Sequence, residues 1–215
     1  MTSLFVGLEE TLPDGMALFR QAIPRTSQLS ILDAIQAVMH EAPVFRPLMP
    51  TGARMINSLT NCGEWGWFSD RRGYRYERLH PETGKPWPDI PAELREVAVS
   101  AAARASYAFE PDACLVNVYD ANGKLGTHRD SDEQDFAQPI VSLSFGNHAD
   151  FYFGSLERGG RTTTLTLESG DILVFGGASR LRYHGVRRIR KGTSAITHPV
   201  LPPDGRINLT LRRAK

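Results

Sequence analysis

Gly205-Arg-Ile-Asn-Leu-Thr-Leu-Arg-Arg213 alternates polar and apolar side chains over its length. Because strand side chains point to opposite faces in turn, its isoleucine and leucines share one face and its polar residues share the other. Seven further short runs of β-branched or alternating residues follow Pro111, with Gly, Asn and Asp in the gaps and no helical pattern between them. The eight predicted strands cover residues 113–119, 124–129, 139–145, 149–154, 161–167, 171–175, 182–188 and 205–213. Such a series excludes βαβ units and predicts a sandwich, barrel or jelly roll.

The first half of the chain has a different pattern. Apolar residues recur at helical spacing over residues 24–42, which predicts an amphipathic helix. A second helix is predicted to open at Pro91, and its alanine face favours close packing on a sheet. Residues 43–90 are rich in Pro, Gly, aromatic residues and arginine, as is typical of hairpins and loops. We expect an α+β, mainly β protein in which residues 1–110 pack on a β core of residues 111–215 as one structural unit.

Length and composition exclude several classes of protein. The chain has 215 residues, 41% hydrophobic and 23% charged, with 25 Lys+Arg against 24 Asp+Glu, which excludes a disordered tail and a strongly basic wrapper of nucleic acid. No run approaches the ~18 apolar residues of a membrane span, and Glu9, Glu10 and Asp14 stand where a signal peptide would carry positive charge. The only cysteines, Cys62 and Cys114, favour reduced thiols over a disulfide framework. We expect a cytoplasmic protein without a membrane segment.

A metal site is one interpretation of three polar residues. Leu125-Gly-Thr-His-Arg-Asp130 predicts a strand end where His128 and Asp130 point to the same face. His184, at the end of another predicted strand, would complete two imidazoles and one carboxylate around an ion. Such a set with open positions is expected of non-haem Fe(II) oxygenases, although zinc, manganese, cobalt or nickel also accept these donors. From these residues alone, a surface hydrogen bond between His128 and Asp130, with an unrelated histidine downstream, is the favoured alternative.

The polar face of the last predicted strand indicates an anion-binding interior. That face carries Arg206, Asn208, Thr210 and Arg212. An arginine that points into a barrel is costly without an anionic partner, and its planar fork matches a carboxylate. Asn117 and Tyr119 alternate in the same way and would add neutral hydrogen-bond donors. A polar outer face with exposed arginines stays open as the alternative for any single strand.

Several short motifs lie between residues 45 and 213. They are Thr60-Asn-Cys-Gly63, Gly66-Trp67, Arg72-Gly-Tyr74-x-Tyr76, Asn117-x-Tyr119, Leu125-x-x-His128-x-Asp130-x-Asp132-Glu133, Gly176-Gly-x-Ser179-Arg-Leu-x-Tyr-His184-Gly and Arg206-x-Asn208-Leu-Thr210-x-x-Arg. Together they resemble the AlkB family of dioxygenases. The aromatic and arginine segment before the predicted strands resembles the nucleotide-recognition lid of the bacterial branch that repairs alkylated nucleic acids.

The resemblance implies a double-stranded β-helix (jelly roll) with N-terminal helices and a nucleotide-recognition lid in residues 1–110. It implies Fe(II) as the metal, with 2-oxoglutarate and O2 as co-substrates. The catalytic metal ligands would be His128, Asp130 and His184. The 2-oxoglutarate site would consist of Arg206 at the distal carboxylate, Arg212 near the keto-acid end, and Asn117, Tyr119 and Asn208 beside them.

In the lid, the resemblance implies that Trp67 stacks on the damaged base. The residues alone favour a core position for it, beside Trp65 and Phe68. Asp132 would compensate the positive charge of a base alkylated on a ring nitrogen, or else be a solvated turn residue. The other implied substrate contacts are Tyr74, Arg75 and Tyr76 to the nucleic-acid backbone, Arg158 at the border of the base pocket and Glu133 beside it.

The implied activity is oxidative dealkylation of N-alkylated bases such as N1-methyladenine and N3-methylcytosine. The substrate would be single- or double-stranded DNA, with RNA as a further candidate, and the enzyme a monomer. Two alternatives stay open: an oxygenase of the same fold that acts on a protein or small molecule, and a non-catalytic metal- or nucleic-acid-binding module. The basic run from Arg180 to Lys191 fits either a phosphate track or a solvated strand face, and a net charge of +1 favours local nucleic-acid contact.

Overall fold

The computed structural model describes residues 12–215. Glu9 and Glu10, which enter the signal-peptide argument, lie outside that range. The described part is mainly strand, with two α-helices. Neither helix combines the length and apolar character that a membrane crossing requires.

Both predicted helices are confirmed. Helix α1 (Arg25–Glu41) and helix α2 (Ala92–Arg104) each begin directly after a proline, a residue compatible with a helix start because the first helical N–H groups have no intrahelical acceptor. One side of α2 packs into the main apolar core through short side chains, which allows close approach to the strands. Its buried residues are Leu94, Ala98, Ala101 and Ala102.

The strands agree with the predicted pattern after residue 111. They are β1 (Met16–Phe19), β2 (Ser58–Gly63), β3 (Gly66–Asp70), β4 (Gly73–Glu77), β5 (Ala113–Tyr119), β6 (Leu125–His128), β7 (Ile140–Gly146), β8 (His148–Phe153), β9 (Thr163–Leu167), β10 (Ile172–Phe175), β11 (His184–Arg190) and β12 (Arg206–Arg212). Each of the eight predicted runs overlaps one strand, β5 to β12, with ends that differ by up to two residues. Strand β1 was not predicted, because its four residues are all half-buried and show no alternation.

Two sheets form the predicted jelly roll. A six-stranded sheet has the order β1-β10-β7-β12-β5-β2, and a four-stranded sheet has the order β6-β11-β8-β9. Strands β3 and β4 form a separate hairpin. Side chains from both larger sheets share one apolar cluster, which places the sheets face to face. Its fully packed members are Ile140, Phe151, Phe153, Leu165, Leu167, Leu173 and Phe175.

Strand β12 separates the apolar core from the interior between the sheets. Its isoleucine and leucines are fully buried in the cluster that includes both helices. On the opposite face, Arg206, Thr210 and Arg212 are also buried. The cross-strand register pairs Arg206 with Tyr119 and Asn208 with Asn117, so β5 adds its polar residues to the same face. The inward polar face is confirmed, and the exposed-arginine alternative is wrong for this strand.

Candidate active site

The three predicted metal ligands meet at one edge of the four-stranded sheet. His128 ends β6, His184 begins β11, and these two residues are directly paired in the register. Asp130 follows β6 by two residues, and its carboxylate oxygens lie 3.7 Å from His128 Nε2 and 3.8 Å from His184 Nε2. One ligand atom from each residue lies within 4.8 Å of the others. A single ion can therefore contact two imidazole nitrogens and one carboxylate oxygen.

Both histidines are oriented for metal binding by the backbone. His128 Nδ1 lies 2.9 Å from the carbonyl oxygen of Gly126, and His184 Nδ1 lies 2.9 Å from that of Arg182. Because a carbonyl only accepts, each Nδ1 carries the proton and each Nε2 keeps its lone pair for a metal. Burial, reinforced by the neighbouring His128, lowers the pKa of His184 to about 4. His184 is therefore neutral at physiological pH, which is the form that binds metals.

Asp130 is kept ionised by an arginine from the opposite sheet. Its side chain is buried, and Arg212 Nη2 lies 2.9 Å from Asp130 Oδ2. Burial alone would raise the pKa of Asp130, but Arg212, together with smaller contributions from His184, His128 and Arg180, outweighs burial and holds the pKa below its usual value. The donor set of two imidazoles and one carboxylate fits Fe(II) and leaves positions for other ligands.

A cavity of about 520 Å³ opens between the two sheets above these ligands. This volume lies within the range of small-molecule sites. All five residues predicted to bind 2-oxoglutarate line it: Asn117, Tyr119, Arg206, Asn208 and Arg212. Burial raises the pKa of Tyr119 to about 12, so its hydroxyl remains a hydrogen-bond donor.

Arg206 lies buried at the cavity wall. Its guanidinium donates to Ser144 Oγ at 2.8 Å and to two backbone carbonyls, while its Nε has no hydrogen-bond acceptor within residues 12–215. In the same range it forms no ion pair with a carboxylate. Burial lowers the pKa of Arg206 to about 10, which still leaves it protonated at neutral pH. A buried unpaired cation fits an anionic ligand, as the distal carboxylate of 2-oxoglutarate would be.

Two serines of this site were missed by sequence reasoning. Ser144 accepts the bond from Arg206, and Ser142 Oγ accepts one from Asn208 Nδ2 at 2.8 Å. Both lie on β7, which pairs with β12. Their spacing of two residues within an apolar run was the available signal, since it places both hydroxyls on one strand face.

The β3–β4 hairpin presents an aromatic platform to the cavity. Trp67 and Tyr74 both line the cavity, and their rings stack with centroids 5.6 Å apart and planes 20° apart. Trp67 Nε1 donates to Asp132 Oδ2 at 2.8 Å, and the Asn61 amide exchanges hydrogen bonds with the Trp67 backbone. Burial raises the pKa of Asp132 even though the Trp67 hydrogen bond opposes the shift. Trp67 is thus half-buried and fixed by these hydrogen bonds. It is neither a fully buried core residue nor an exposed side chain without partners.

The remaining lid residues divide into two groups. Arg158 is exposed and lines the cavity. Arg75, Tyr76 and Glu133 do not line it. Arg75 pairs with acidic neighbours of its own hairpin. Tyr76 is buried, and its hydroxyl donates to Glu133 Oε1 at 2.6 Å. Glu133 is also buried, and it lies between two arginines behind the metal ligands.

The basic run does not form one continuous surface. Arg180 is buried, and Arg188 and Arg190 both bind the carboxylate of Asp150. None of the basic side chains of the run lines the cavity. Arg187 is exposed and lies over the ring of Tyr152.

Comparison with known proteins agrees with this site. A family model described as the 2OG-Fe(II) oxygenase superfamily matches residues 15–212. The Alpha-ketoglutarate-dependent dioxygenase AlkB of Salmonella typhimurium is 43% identical over 207 residues, which are 96% of this chain and 93% of that protein. The DNA N(6)-methyladenine demethylase ALKBH1C of Arabidopsis thaliana is 33% identical over 93% of this chain and 48% of its own length.

The structural comparison extends over nearly the whole chain. The solved structure of OsALKBH1 matches with a TM-score of 0.80 at 30% identity, covering 94% of this chain and 100% of that one. Sequence, fold and ligand geometry therefore agree. The chain belongs to the 2OG-Fe(II) oxygenase superfamily and, within it, to the AlkB family of dioxygenases, which use Fe(II), 2-oxoglutarate and O2.

Proposed function

We propose that this dioxygenase removes alkyl groups oxidatively from ring nitrogens of nucleobases, with N1-methyladenine and N3-methylcytosine in DNA as preferred substrates and RNA as a further one. The observation that carries this proposal is the Trp67–Tyr74 platform, which is hydrogen-bonded to Asp132, two residues from the ligand Asp130. A base stacked on this platform would lie next to the metal. A related plant protein carries the name of a DNA demethylase, which supports a nucleic acid as the substrate class.

The platform and its carboxylate suit a cationic base. An aromatic ring holds an extruded base by stacking, and a positively charged base gains from the negative face of an indole. Asp132 lines the cavity beside Trp67, where an ionised carboxylate compensates the charge that a base carries when its ring nitrogen is alkylated. An uncharged base would gain less at this site.

The rim of the cavity suits a phosphate backbone. Four exposed cationic side chains line the opening, and they come from three separate segments of the chain: Arg54, Lys124, Arg129 and Arg158. Cations placed around a base pocket can contact the phosphates that flank an extruded nucleotide. With a net charge of +1 over the whole chain, such contact is local, and binding is expected to weaken steeply as salt rises.

Different residues of the chain would bind 2-oxoglutarate, keep a metal ligand ionised and orient the alkylated base. Bound Fe(II) with 2-oxoglutarate and O2 supplies hydroxylation of the N-alkyl carbon, with 2-oxoglutarate leaving as succinate and CO2. Arg206 would hold the distal carboxylate, and Arg212 would keep Asp130 ionised as a ligand. Trp67 and Asp132 would hold the alkyl carbon near the metal. The hydroxylated product then separates into an aldehyde and the repaired base.

The test uses an oligonucleotide with a single lesion. Protein reconstituted with Fe(II) is incubated with 2-oxoglutarate, O2 and an oligonucleotide carrying N1-methyladenine, and loss of the methyl group is measured by mass spectrometry. An oligonucleotide with uncharged N6-methyladenine is the matched control. Asp132→Asn, which keeps the shape and removes the charge, should slow the cationic lesion more than the uncharged one.

The alternatives predict different results in the same experiment. A non-catalytic module would bind the oligonucleotide and leave every methyl group in place. An oxygenase for proteins or small molecules would consume 2-oxoglutarate without any effect of the oligonucleotide. Either result would overturn the proposal.

The cellular setting is part of the same proposal. We infer a cytoplasmic monomer in which residues 1–110 and 111–215 form one unit. Pairing of β1 with β10 and of β2 with β5 supports the single unit, since both halves then share one sheet. Cys62 and Cys114 are opposite each other on paired strands and remain free thiols, in keeping with a reducing compartment.

A further inference from the structure

Arg180 is a buried arginine that neither binds the metal nor lines the cavity. It follows a short 3-10 turn (Gly177–Ser179) and precedes β11, the strand that begins with the ligand His184. Its side chain does not point along that strand segment but contacts the loop 129–139, which connects β6 to β7. This loop has no helix or strand of its own.

All three kinds of guanidinium nitrogen in Arg180 contact that one loop. Nη1 donates to the backbone carbonyl of Asp130 at 2.9 Å, and Nε donates to the backbone carbonyl of Gln138 at 3.2 Å. Nη2 lies 3.2 Å from the carboxylate of Glu133. The guanidinium also lies over the ring of Phe136, 5.2 Å from its centroid. One rigid, planar group therefore fixes the start, middle and end of the loop.

The loop carries groups from both parts of the site. Asp130 is the carboxylate ligand, and Asp132 holds the indole of Trp67. His184, the third ligand, belongs to the segment that carries Arg180. The distance between Asp130 and His184 thus depends on how the loop is held against that segment, and the Arg180 guanidinium hydrogen-bonds the loop from that segment.

We propose that Arg180 is a positioning residue that holds the loop 129–139 against the β11 segment, so that Asp130 and His184 are in place before a metal binds. The inference rests on the metal site described above. Outer contacts that orient metal ligands typically change metal affinity or activity about 10- to 100-fold when removed. Lysine cannot replace the arginine fully, because a single ammonium cannot reach three acceptors in one plane.

The experiment measures Mn(II) affinity by calorimetry without 2-oxoglutarate or substrate. Arg180→Gln is expected to weaken Mn(II) binding about 10- to 100-fold, and Arg180→Lys should recover only part of the loss. Arg190→Gln, on the same strand as His184, is the matched control. Its side chain donates to the carboxylate of Asp150, outside the loop, so its Mn(II) affinity should stay within about twofold of the unmodified protein.

Hydrogen exchange separates positioning from general destabilisation. The Gln134 amide, within the loop, donates to the Ala214 carbonyl at 3.0 Å and serves as the local probe. In metal-free Arg180→Gln, peptides from residues 129–139 should exchange faster while those of β7 and β12 keep their protection. An equal rise across the core strands would show a merely structural role and overturn the inference.

A second variant tests the same inference if Arg180→Gln does not fold. Arg180→Gln removes one of the two arginines that contact the buried Glu133 carboxylate. The double variant Arg180→Gln with Glu133→Gln removes both charges of that pair, and it still lacks the hydrogen bond from Arg180 to the Asp130 carbonyl. Weak Mn(II) binding in this double variant supports the inference, and affinity equal to that of the unmodified protein overturns it. Absence of Mn(II) binding in both the unmodified protein and Arg190→Gln would instead refute the metal site itself.

Discussion

Replacement of Arg206 by lysine should weaken 2-oxoglutarate binding while the fold is preserved. Arg206 is buried, uses its Nη atoms on Ser144 and two backbone carbonyls, and leaves Nε without an acceptor. Lysine keeps the positive charge but not the fork that meets a carboxylate with two parallel bonds. If one charge-assisted hydrogen bond of about 2 kcal/mol is lost, the dissociation constant should rise about 30-fold.

The assay is calorimetry of the Mn(II)-loaded protein titrated with 2-oxoglutarate. Titration with 2-oxobutyrate, which lacks the distal carboxylate, is the ligand control and should give the same affinity in both proteins. Arg190→Lys is the protein control, because that side chain binds Asp150 and lies outside the cavity. Circular dichroism should show that the Arg206→Lys variant is folded.

Two results would refute this reasoning. An unchanged 2-oxoglutarate affinity in Arg206→Lys would remove Arg206 from the distal carboxylate. An equal loss for 2-oxoglutarate and 2-oxobutyrate would show that the substitution disturbs the metal end of the site and not a specific carboxylate contact.

Three further predictions concern the metal, the platform and the ion pairs of the buried Asp150. Alanine at any metal ligand, for instance His184→Ala, should abolish turnover and Mn(II) binding but leave the far-ultraviolet circular dichroism unchanged, and a metal-free protein that is unfolded would contradict a catalytic role for the metal. Trp67→Ala should reduce demethylation through loss of stacking worth ~1 to 3 kcal/mol while metal and 2-oxoglutarate affinities stay constant; a large fall in melting temperature with surviving activity would assign Trp67 to the core instead. Burial would raise the pKa of Asp150, but its hydrogen bonds with Arg188 and Arg190 outweigh burial and lower that pKa. Ionised Asp150 therefore stabilises the folded protein above the unfolded pKa of about 3.9. That contribution to the free energy of unfolding is lost as pH falls through the lower pKa of the folded state. The melting-temperature difference between the unmodified protein and Asp150→Asn should therefore shrink below about pH 4, and a difference that grows in acid would be evidence against this sign.

The strands and their faces were predictable because alternation with a period of two indicates both where a strand lies and which of its residues share a face. In β12 the alternation locates the strand and also divides its arginines from its leucines. The spacing of His128 and Asp130 indicated a metal site only as one interpretation, because the residues alone favoured a surface hydrogen bond and Asp130 lies beyond the end of β6. The resemblance was also needed to assign His184, Arg206 and Arg212 to the same site as His128, because nothing local in the sequence shows that β11 and β12 lie near β6.

The positions that sequence could not resolve depend on tertiary pairing. Strand β1 exists because β10 offers an edge to pair with, and its own four residues carry no pattern. Tyr76 and Glu133 belong to motifs shared with the site, yet they bind each other behind it. Arg180 belongs to a run of basic residues that suggests an exposed face. Its burial follows from acceptors on a loop some fifty residues earlier in the chain.

The assignment as a nucleic-acid dealkylase is tested most directly by product stoichiometry. Protein is reconstituted anaerobically with Fe(II) and 2-oxoglutarate, O2 is admitted, and succinate and formaldehyde are measured with and without an N1-methyladenine oligonucleotide. Coupled turnover predicts that the methylated oligonucleotide stimulates succinate release and yields one formaldehyde for each succinate formed with it. Succinate release that is indifferent to the methylated oligonucleotide, with no formaldehyde, would contradict the assignment.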